Sequence, residues 1–181
     1  MVLSDIAYLV GQDTVIMTIQ NGLGSAEIVS KIIDSNNIIV GVAEGFGASE
    51  IALGHVKHIS KKLLSLGALK NVRISEANKI GKLLIDSGFN VKICKDVDQM
   101  LWDKFICNVA FSGVSALTNR TMGEIINNEK IWKIGLSCGI EAYSIGVKKG
   151  IRFSFKDPVK KIMKYGESFP KAKSSVLIDH L

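Results

Sequence analysis

Thr14-Val-Ile-Met-Thr-Ile19, followed by Gln20-Asn-Gly-Leu-Gly24 and Ser25, is the stretch that decides the fold class. Six apolar or β-branched residues in a row predict a short buried strand. Two glycines within the next five residues break it. Ser25 stands where a helix N-cap belongs, and a helix is expected over 26–34. Strand, glycine turn and helix in that order form the repeating unit of an open α/β sheet. The same grammar continues outward. A second strand is expected over 37–42, and Gly45, Gly47 and Gly54 punctuate a hairpin that includes His55-Val-Lys-His-Ile59. A further strand is expected over 63–66. Residues 76–87 place Ile80, Leu83 and Leu84 on one helical face and stop at Gly88. Residues 90–94 return to a strand.

From Asp98 onward the strand pattern disappears. A long helix is expected over 100–117 and another over 125–149, ended by Gly150 as C-cap. Asp157-Pro158 is an N-cap and first-turn pair for a third helix, running to about residue 165. The chain therefore reads as α/β followed by all-α, with domains at 1–97 and 98–181. No internal repeat or low-complexity segment interrupts either.

Composition bounds the function. With 181 residues, 47% hydrophobic and 22% charged, the chain is globular rather than disordered. No apolar run approaches the roughly 20 residues of a membrane span. With Asp5 where a basic n-region would stand and Gly11-Gln-Asp13 ending the apolar run, no signal peptide is expected. Cys94, Cys107 and Cys138 make no CxxC pair, so a reduced, cytoplasmic protein is expected. Mean hydropathy is +0.26, high for a soluble chain of this size. The net charge is +6, and residues 1–100 balance 10 basic against 10 acidic groups, so the excess lies entirely beyond them. Lys156, Lys160, Lys161 and Lys164 recur near the helical period. That pattern fits a solvated helix face, or a field that attracts an anionic substrate. It lacks the interleaved aromatics of a single-strand nucleic-acid binder, and no nucleic-acid or membrane partner is expected.

Two features could carry chemistry. Gly22-Leu-Gly24 and Gly45-Phe-Gly47 each begin a GxGxxG run, but Glu27 and Glu50 occupy the third glycine position. Neither is a dinucleotide fingerprint. Gly22 and Gly24 permit a tight turn. The turn also lies at a strand C-terminus, where open α/β sheets bind ligands, and Asn21 offers an amide there. The helix expected from residue 100 carries Lys104, Asn108, Ser112 and Ser115. At about 100° per residue these fall at roughly 0°, 40°, 80° and 20° around the axis. The stripe is either a solvent face or a site in which an ammonium polarises an oxyanion and amide and hydroxyl groups hold a small polar substrate. His55, His58 and His180 form no metal set with the cysteines, and no GxSxG nucleophile elbow is present.

Three motifs resemble those of the ketopantoate reductases (2-dehydropantoate 2-reductases). Thr18-Ile-Gln-Asn-Gly-Leu-Gly24 looks like their Q-N-G-x-G turn. Gly41-Val-Ala-Glu-Gly-Phe-Gly-Ala48 with Gly54-His-Val-Lys-His58 is similar to their G-V-x-x-x-G-A…G-x-V-x-H segment. Trp102-Asp-Lys-Phe-Ile-Cys-Asn108, Ser115-Ala-Leu-Thr118 and Gly123-Glu124 resemble their W-x-K-x-x-x-N helix and the short G-E-L-like element after it. The resemblance covers nearly the whole chain in the right order. It implies a Rossmann-type NADP-binding domain followed by an α-helical domain, and reduction of 2-dehydropantoate to pantoate by NADPH in coenzyme A synthesis. It makes Lys104 the catalytic lysine and Asn108 and Ser112 substrate-binding. Ser175, within Ser174-Ser-Val-Leu-Ile-Asp179, is a further substrate contact, and Asn21 and Gly22 stand on the cofactor side. It allows a homodimer.

The resemblance also implies that part of the family's chain is missing. The family's GxGxxG lies on its first strand, and no counterpart occurs here. The expectation is a fragment: the C-terminal half of a Rossmann-type domain and a truncated helical domain, lacking both ends. Exposed half-sheet surface would then account for the high hydropathy. The family's Asn-Pro is Ser112-Gly113 here, and a family Asn before the Gly-Glu pair is Met122. Those departures keep two alternatives open: a related 2-hydroxyacid dehydrogenase, and a non-catalytic binding or assembly module.

Overall fold

The computed structural model describes residues 5, 7–33, 38–60, 62–69 and 74–180. Its contacts divide the chain into two compact units, Met1–Met100 and Leu101–Leu181. The first holds β1 (Ile16–Thr18), α1 (Ser25–Ser30), β2 (Ile38–Glu44), β3 (Gly47–Ala52), β4 (His55–Ser60), β5 (Leu63–Ala68), α2 (Ile74–Asp86) and β6 (Val91–Ile93). Four strands form one sheet in the order β1-β2-β5-β6, while β3 and β4 form a separate hairpin. The pairs β1–β2 and β5–β6 are parallel. The pair β2–β5 is antiparallel, with Val40 opposite Gly67.

The sheet is covered on both faces, which is why β2 is a continuous apolar run rather than an alternating one. On one face Ile39, Leu64 and Leu66 pack with Ala77 of α2, joined by Met17, Ile80 and Leu84. Each large side chain buried this way contributes about 1.5–3 kcal/mol. The opposite face carries buried Ile38, Val40 and Val42, and Ala26 and Val29 of α1 are buried too. Gly67 is a glycine for steric reasons, since a Cβ there would lie 2.5 Å from Val97 Cγ2 and 3.1 Å from the Cys94 carbonyl oxygen.

The first helix starts differently from the sequence expectation. Gly24, not Ser25, occupies its N-cap, with φ 93° and no side-chain cap bond. A left-handed cap needs glycine, so the turn's geometry overrides Ser25's capping preference. Asp34 and Asn37, where the first helix and second strand were expected to end and begin, lie outside the described residues.

The helix α3 (Val97–Thr118) begins three residues before the expected start. The Asp96 carboxylate accepts the Gln99 N–H at 2.9 Å and caps it. The second unit continues with α4 (Met122–Ile126), α5 (Glu129–Lys148), α6 (Pro158–Ser168) and α7 (Ser175–His180). The single helix expected over 125–149 is in fact two. Asn128 stands in extended backbone, and its side chain accepts the Ile131 N–H at 3.1 Å, restarting the chain as α5. The Asp157-Pro158 start of α6 is as expected, with Asp157 accepting the Lys160 N–H at 3.0 Å.

The second core gathers Ile106, Ala110, Phe111, Val114, Met122, Ile125 and Ile162. Gly135, Gly139, Ala142 and Gly146 of α5 are all buried, each about one turn from the next. A Cβ on Gly139 would lie 2.7 Å from Ile162 Cδ1 and 3.0 Å from Ala110 Cβ. One on Gly146 would lie 2.6 Å from Phe153 Cζ and 3.0 Å from Trp102 Cε3. This small-residue stripe brings α5 close against α3 and holds α3 in place.

Candidate functional site

The candidate site of the second unit is built on α3. Lys104, Asn108 and Ser112 follow one another at single-turn intervals, and all three are half-buried. From Lys104 to Ser112 is about 12 Å along the axis. Trp102, Ile106, Cys107, Ala110, Phe111 and Val114 fill the buried side of the same helix. The polar stripe is therefore neither core nor fully solvated. An ammonium, an amide and a hydroxyl line one partly shielded strip.

Ser115 does not belong with them. It is 0% exposed. Its hydroxyl donates to the Arg120 carbonyl oxygen at 2.8 Å and accepts the Ser174 N–H at 3.2 Å. Ser174, also buried, donates from its own hydroxyl to the Ser112 carbonyl oxygen at 3.3 Å and caps α7 by accepting the Leu177 N–H at 3.2 Å. These bonds tie the N-terminal end of α7 to the last turns of α3. Ser175, the first residue of α7, follows Ser174 directly and is exposed. The clamp was illegible in the sequence, since nothing marks α7 as a helix or separates Ser115 from its polar neighbours. The serine pair Ser174-Ser175 was the only signal.

Other contacts fix the rest of the helical unit. Asp103 accepts the Ser154 N–H at 3.3 Å, joining the start of α3 to the segment between α5 and α6. In that segment Phe153 and Phe155 pack against Tyr143, with ring centroids 4.7 and 6.0 Å away. Lys161 lies 5.7 Å from the centre of the Phe155 ring. Lys156, Lys160 and Lys164 are exposed. Met122 is buried in the core and its N–H donates to the Ala172 carbonyl oxygen at 2.9 Å. It is a packing residue.

Beside it, Thr121 and Glu124 form a capping box at the start of α4. The Thr121 N–H donates to Glu124 Oε2 at 2.8 Å, and the Glu124 N–H donates to Thr121 Oγ1 at 3.3 Å. The backbone bond from Thr121, then its hydroxyl, hold the Glu124 carboxyl below its ordinary range, with smaller help from Arg120 and Lys173.

In the first unit, the turn after β1 holds Asn21 and Gly22. Asn21 is exposed. Gly22 and Gly24 both have φ 93°, and nothing lies within 4 Å of where a Cβ would stand on either. A nucleotide can approach the bare backbone of such a turn closely, so the residues present fit that class of ligand. His55 and His58 are exposed on β4. No group of three or more His, Cys, Asp or Glu side chains among the described residues could hold a metal. No described helix is long and apolar enough to cross a membrane.

Comparison with known proteins gives a consistent picture. A family model described as "Ketopantoate reductase PanE/ApbA" matches residues 1–71, and its companion, "Ketopantoate reductase PanE/ApbA C terminal", matches residues 96–181. The 2-dehydropantoate 2-reductase of Archaeoglobus fulgidus is 24% identical over 165 residues, covering 91% of this chain and 54% of that protein. The chain thus spans about half the length of such relatives. Among solved structures, the 2-dehydropantoate 2-reductase of Geobacter metallireducens superposes with TM-score 0.86 at 23% identity, over 96% of this chain and 58% of that one. A ternary complex of D-mandelate dehydrogenase with NADH and anilino(oxo)acetate gives TM-score 0.87 at 21% identity, over 97% and 57%. The likeness to both structures establishes the shared fold.

Proposed function

The chain belongs to the ketopantoate reductase family of oxidoreductases, and from that membership we propose that its protein reduces 2-dehydropantoate to pantoate with NADPH. The observation that carries this reading is the half-buried Lys104–Asn108–Ser112 strip of α3, whose Ser112 carbonyl is bonded by Ser174, the neighbour of Ser175. In this reading the first unit receives the nucleotide and the second the keto acid.

A bound nicotinamide dinucleotide would supply the hydride for the ketone carbon. The protein's part is to hold the ketone and stabilise the charge that develops on its oxygen. Lys104 is the donor for that oxygen: its ammonium hydrogen-bonds the ketone and supports the alkoxide, then provides the proton that makes it a hydroxyl. The Asn108 amide both donates and accepts, so it suits a substrate hydroxyl or carboxylate. The Ser112 and Ser175 hydroxyls extend the strip toward the substrate's tail. Asn21 and Gly22 serve the cofactor, one with an amide and the other by letting backbone come close.

A second reading has a specific basis. At residues 112 and 122 the chain has a short hydroxyl and a buried methionine, and one structural neighbour is a D-mandelate dehydrogenase bound to NADH. A related 2-hydroxyacid dehydrogenase, with NAD in place of NADP, is the alternative. A substrate panel separates the two. Turnover of 2-dehydropantoate with NADPH, at least about tenfold above an aromatic 2-keto acid with NADH, supports the first. The reverse preference establishes the second, and no turnover of any 2-keto acid refutes both.

A further inference from the structure

Residues 148–173 carry nine basic and two acidic side chains, an excess larger than the +6 of the whole chain. Packing holds much of this charge around the C-terminal end of α5. Lys148 and Lys149 close that helix, and the Ile151 N–H turns the chain back by donating to the Gly146 carbonyl oxygen at 3.0 Å. Phe153 and Phe155 then pack on Tyr143, and Lys161 of α6 lies 5.7 Å from the Phe155 ring centre. Little neutralises the charge. Lys148, Lys149, Lys156 and Lys164 are exposed. Lys160 meets Asp157 only at 4.0 Å, with the lysine side chain 88% exposed, and such a pair contributes little. Helix stability does not account for the lysines of α6 either. Lys160 and Lys161 stand in its first turn, which holds no acidic residue and where the helix dipole opposes positive charge. Lysines are also disfavoured at protein interfaces, so this is a face for solvent.

The face lies beside the strip. The Ser154 N–H donates to the Asp103 carboxylate at 3.3 Å, and Asp103 immediately precedes Lys104. The basic segment is thus joined to α3 at the Lys104 end. Lys156 follows that bond by two residues, about 7 Å of chain at most, which is inside the roughly 10 Å over which a charge is felt at ordinary salt.

We propose that this basic face is an electrostatic funnel for the substrate, which draws the carboxylate of the 2-keto acid toward the Lys104 end of the strip and concentrates it there. The inference rests on the substrate role given to the strip above. It adds a requirement for charge, since a neutral ketone gains nothing from the field. Such a field raises local substrate concentration and encounter rate without touching the reacting atoms. Its lysines therefore set KM and its salt dependence, and leave kcat alone.

The test uses the complete protein that carries this chain. One variant combines Lys156→Gln, Lys160→Gln and Lys164→Gln, and another combines Lys156→Arg, Lys160→Arg and Lys164→Arg. With the dinucleotide saturating, kcat and KM are measured for the 2-keto acid that the panel above selects. Salt is set at about 0.01 M and about 1 M, where screening lengths are about 30 Å and about 3 Å. The parent's KM should rise between the two. At low salt the Gln variant's KM should exceed the parent's by about three- to tenfold with kcat unchanged, and at high salt the two should converge. The Arg variant should match the parent throughout, and the uncharged amide of the same keto acid should not distinguish the three proteins. A parent KM that ignores salt overturns the inference, whatever the variants do. So does a Gln variant with the parent's low-salt KM, or a loss that persists at high salt. Each of these leaves the reductase reading standing. A parent that turns over no 2-keto acid overturns that reading and this inference with it.

Discussion

Ser115 and Lys104 lie on the same helix and face the same way on a helical wheel, yet the structure uses them differently. Ser115 is buried with both hydrogen-bonding roles filled, so Ser115→Ala strands the Ser174 N–H and the Arg120 carbonyl. A loss of about 1–3 kcal/mol is expected, read from denaturant unfolding. On the substrate role proposed for Ser175, which follows the clamped Ser174, KM should rise in the same variant. Glu124 gives a pH signature. Its carboxyl is held below its ordinary value of 4.5 by the Thr121 bonds. A depressed folded-state value means the contribution is fully present above 4.5 and fades as pH falls through the lower, folded value. Thermal melting of the parent should therefore lose stability below about pH 4.5 by a share that Glu124→Gln no longer shows. What was legible at this scale was residue type and spacing: the stripe comes directly from the helical period. What was not legible was the partner 59 residues away that turns Ser115 inward, because such a contact depends on how α7 docks.

Among the elements, capping residues were readable where they act locally, as with Asp157-Pro158. They were missed where two turns compete. Asn127-Asn128 looked like the interior of a long helix until the Asn128 cap divided it, and Gly24 displaced Ser25 because the chain must turn through a left-handed residue. The antiparallel pairing of β5 with β2 also left no mark on either strand's pattern. Two glycines of the helical unit make opposite predictions. Gly135 faces the Ala110 carbonyl oxygen so closely that a Cβ has no room, and Gly135→Ala should cost about 1–3 kcal/mol by overpacking. Gly113, exposed on α3 with nothing within 4 Å, gains helix propensity when replaced. Gly113→Ala should stabilise by about 0.5–1 kcal/mol. Melting temperatures of the two single variants check both signs.

Across the whole molecule, exposed apolar residues are spread over both units, from Tyr8 to Ile178. Tyr8, Leu9, Ile19, Ile28 and Ile32 are all well exposed in the first unit, whose β1 is a three-residue edge strand. Such a surface favours association, so Ile28→Lys should raise the soluble concentration of the isolated chain, measured by ultracentrifugation, with little change in melting temperature. The two-part organisation was legible because the hydrophobic period changes from strand-like to helical near residue 97. The chemistry was legible only in part, because the strip on α3 shows which polar groups share a face and not what they bind. The central claim is that Lys104 stabilises the developing alkoxide, and single-turnover NADPH oxidation with 2-dehydropantoate tests it most directly. Lys104→Ala in the complete protein should fold and melt like the parent while the rate falls by about 10² or more. A folded Lys104→Ala protein that oxidises NADPH at the parent rate would contradict it.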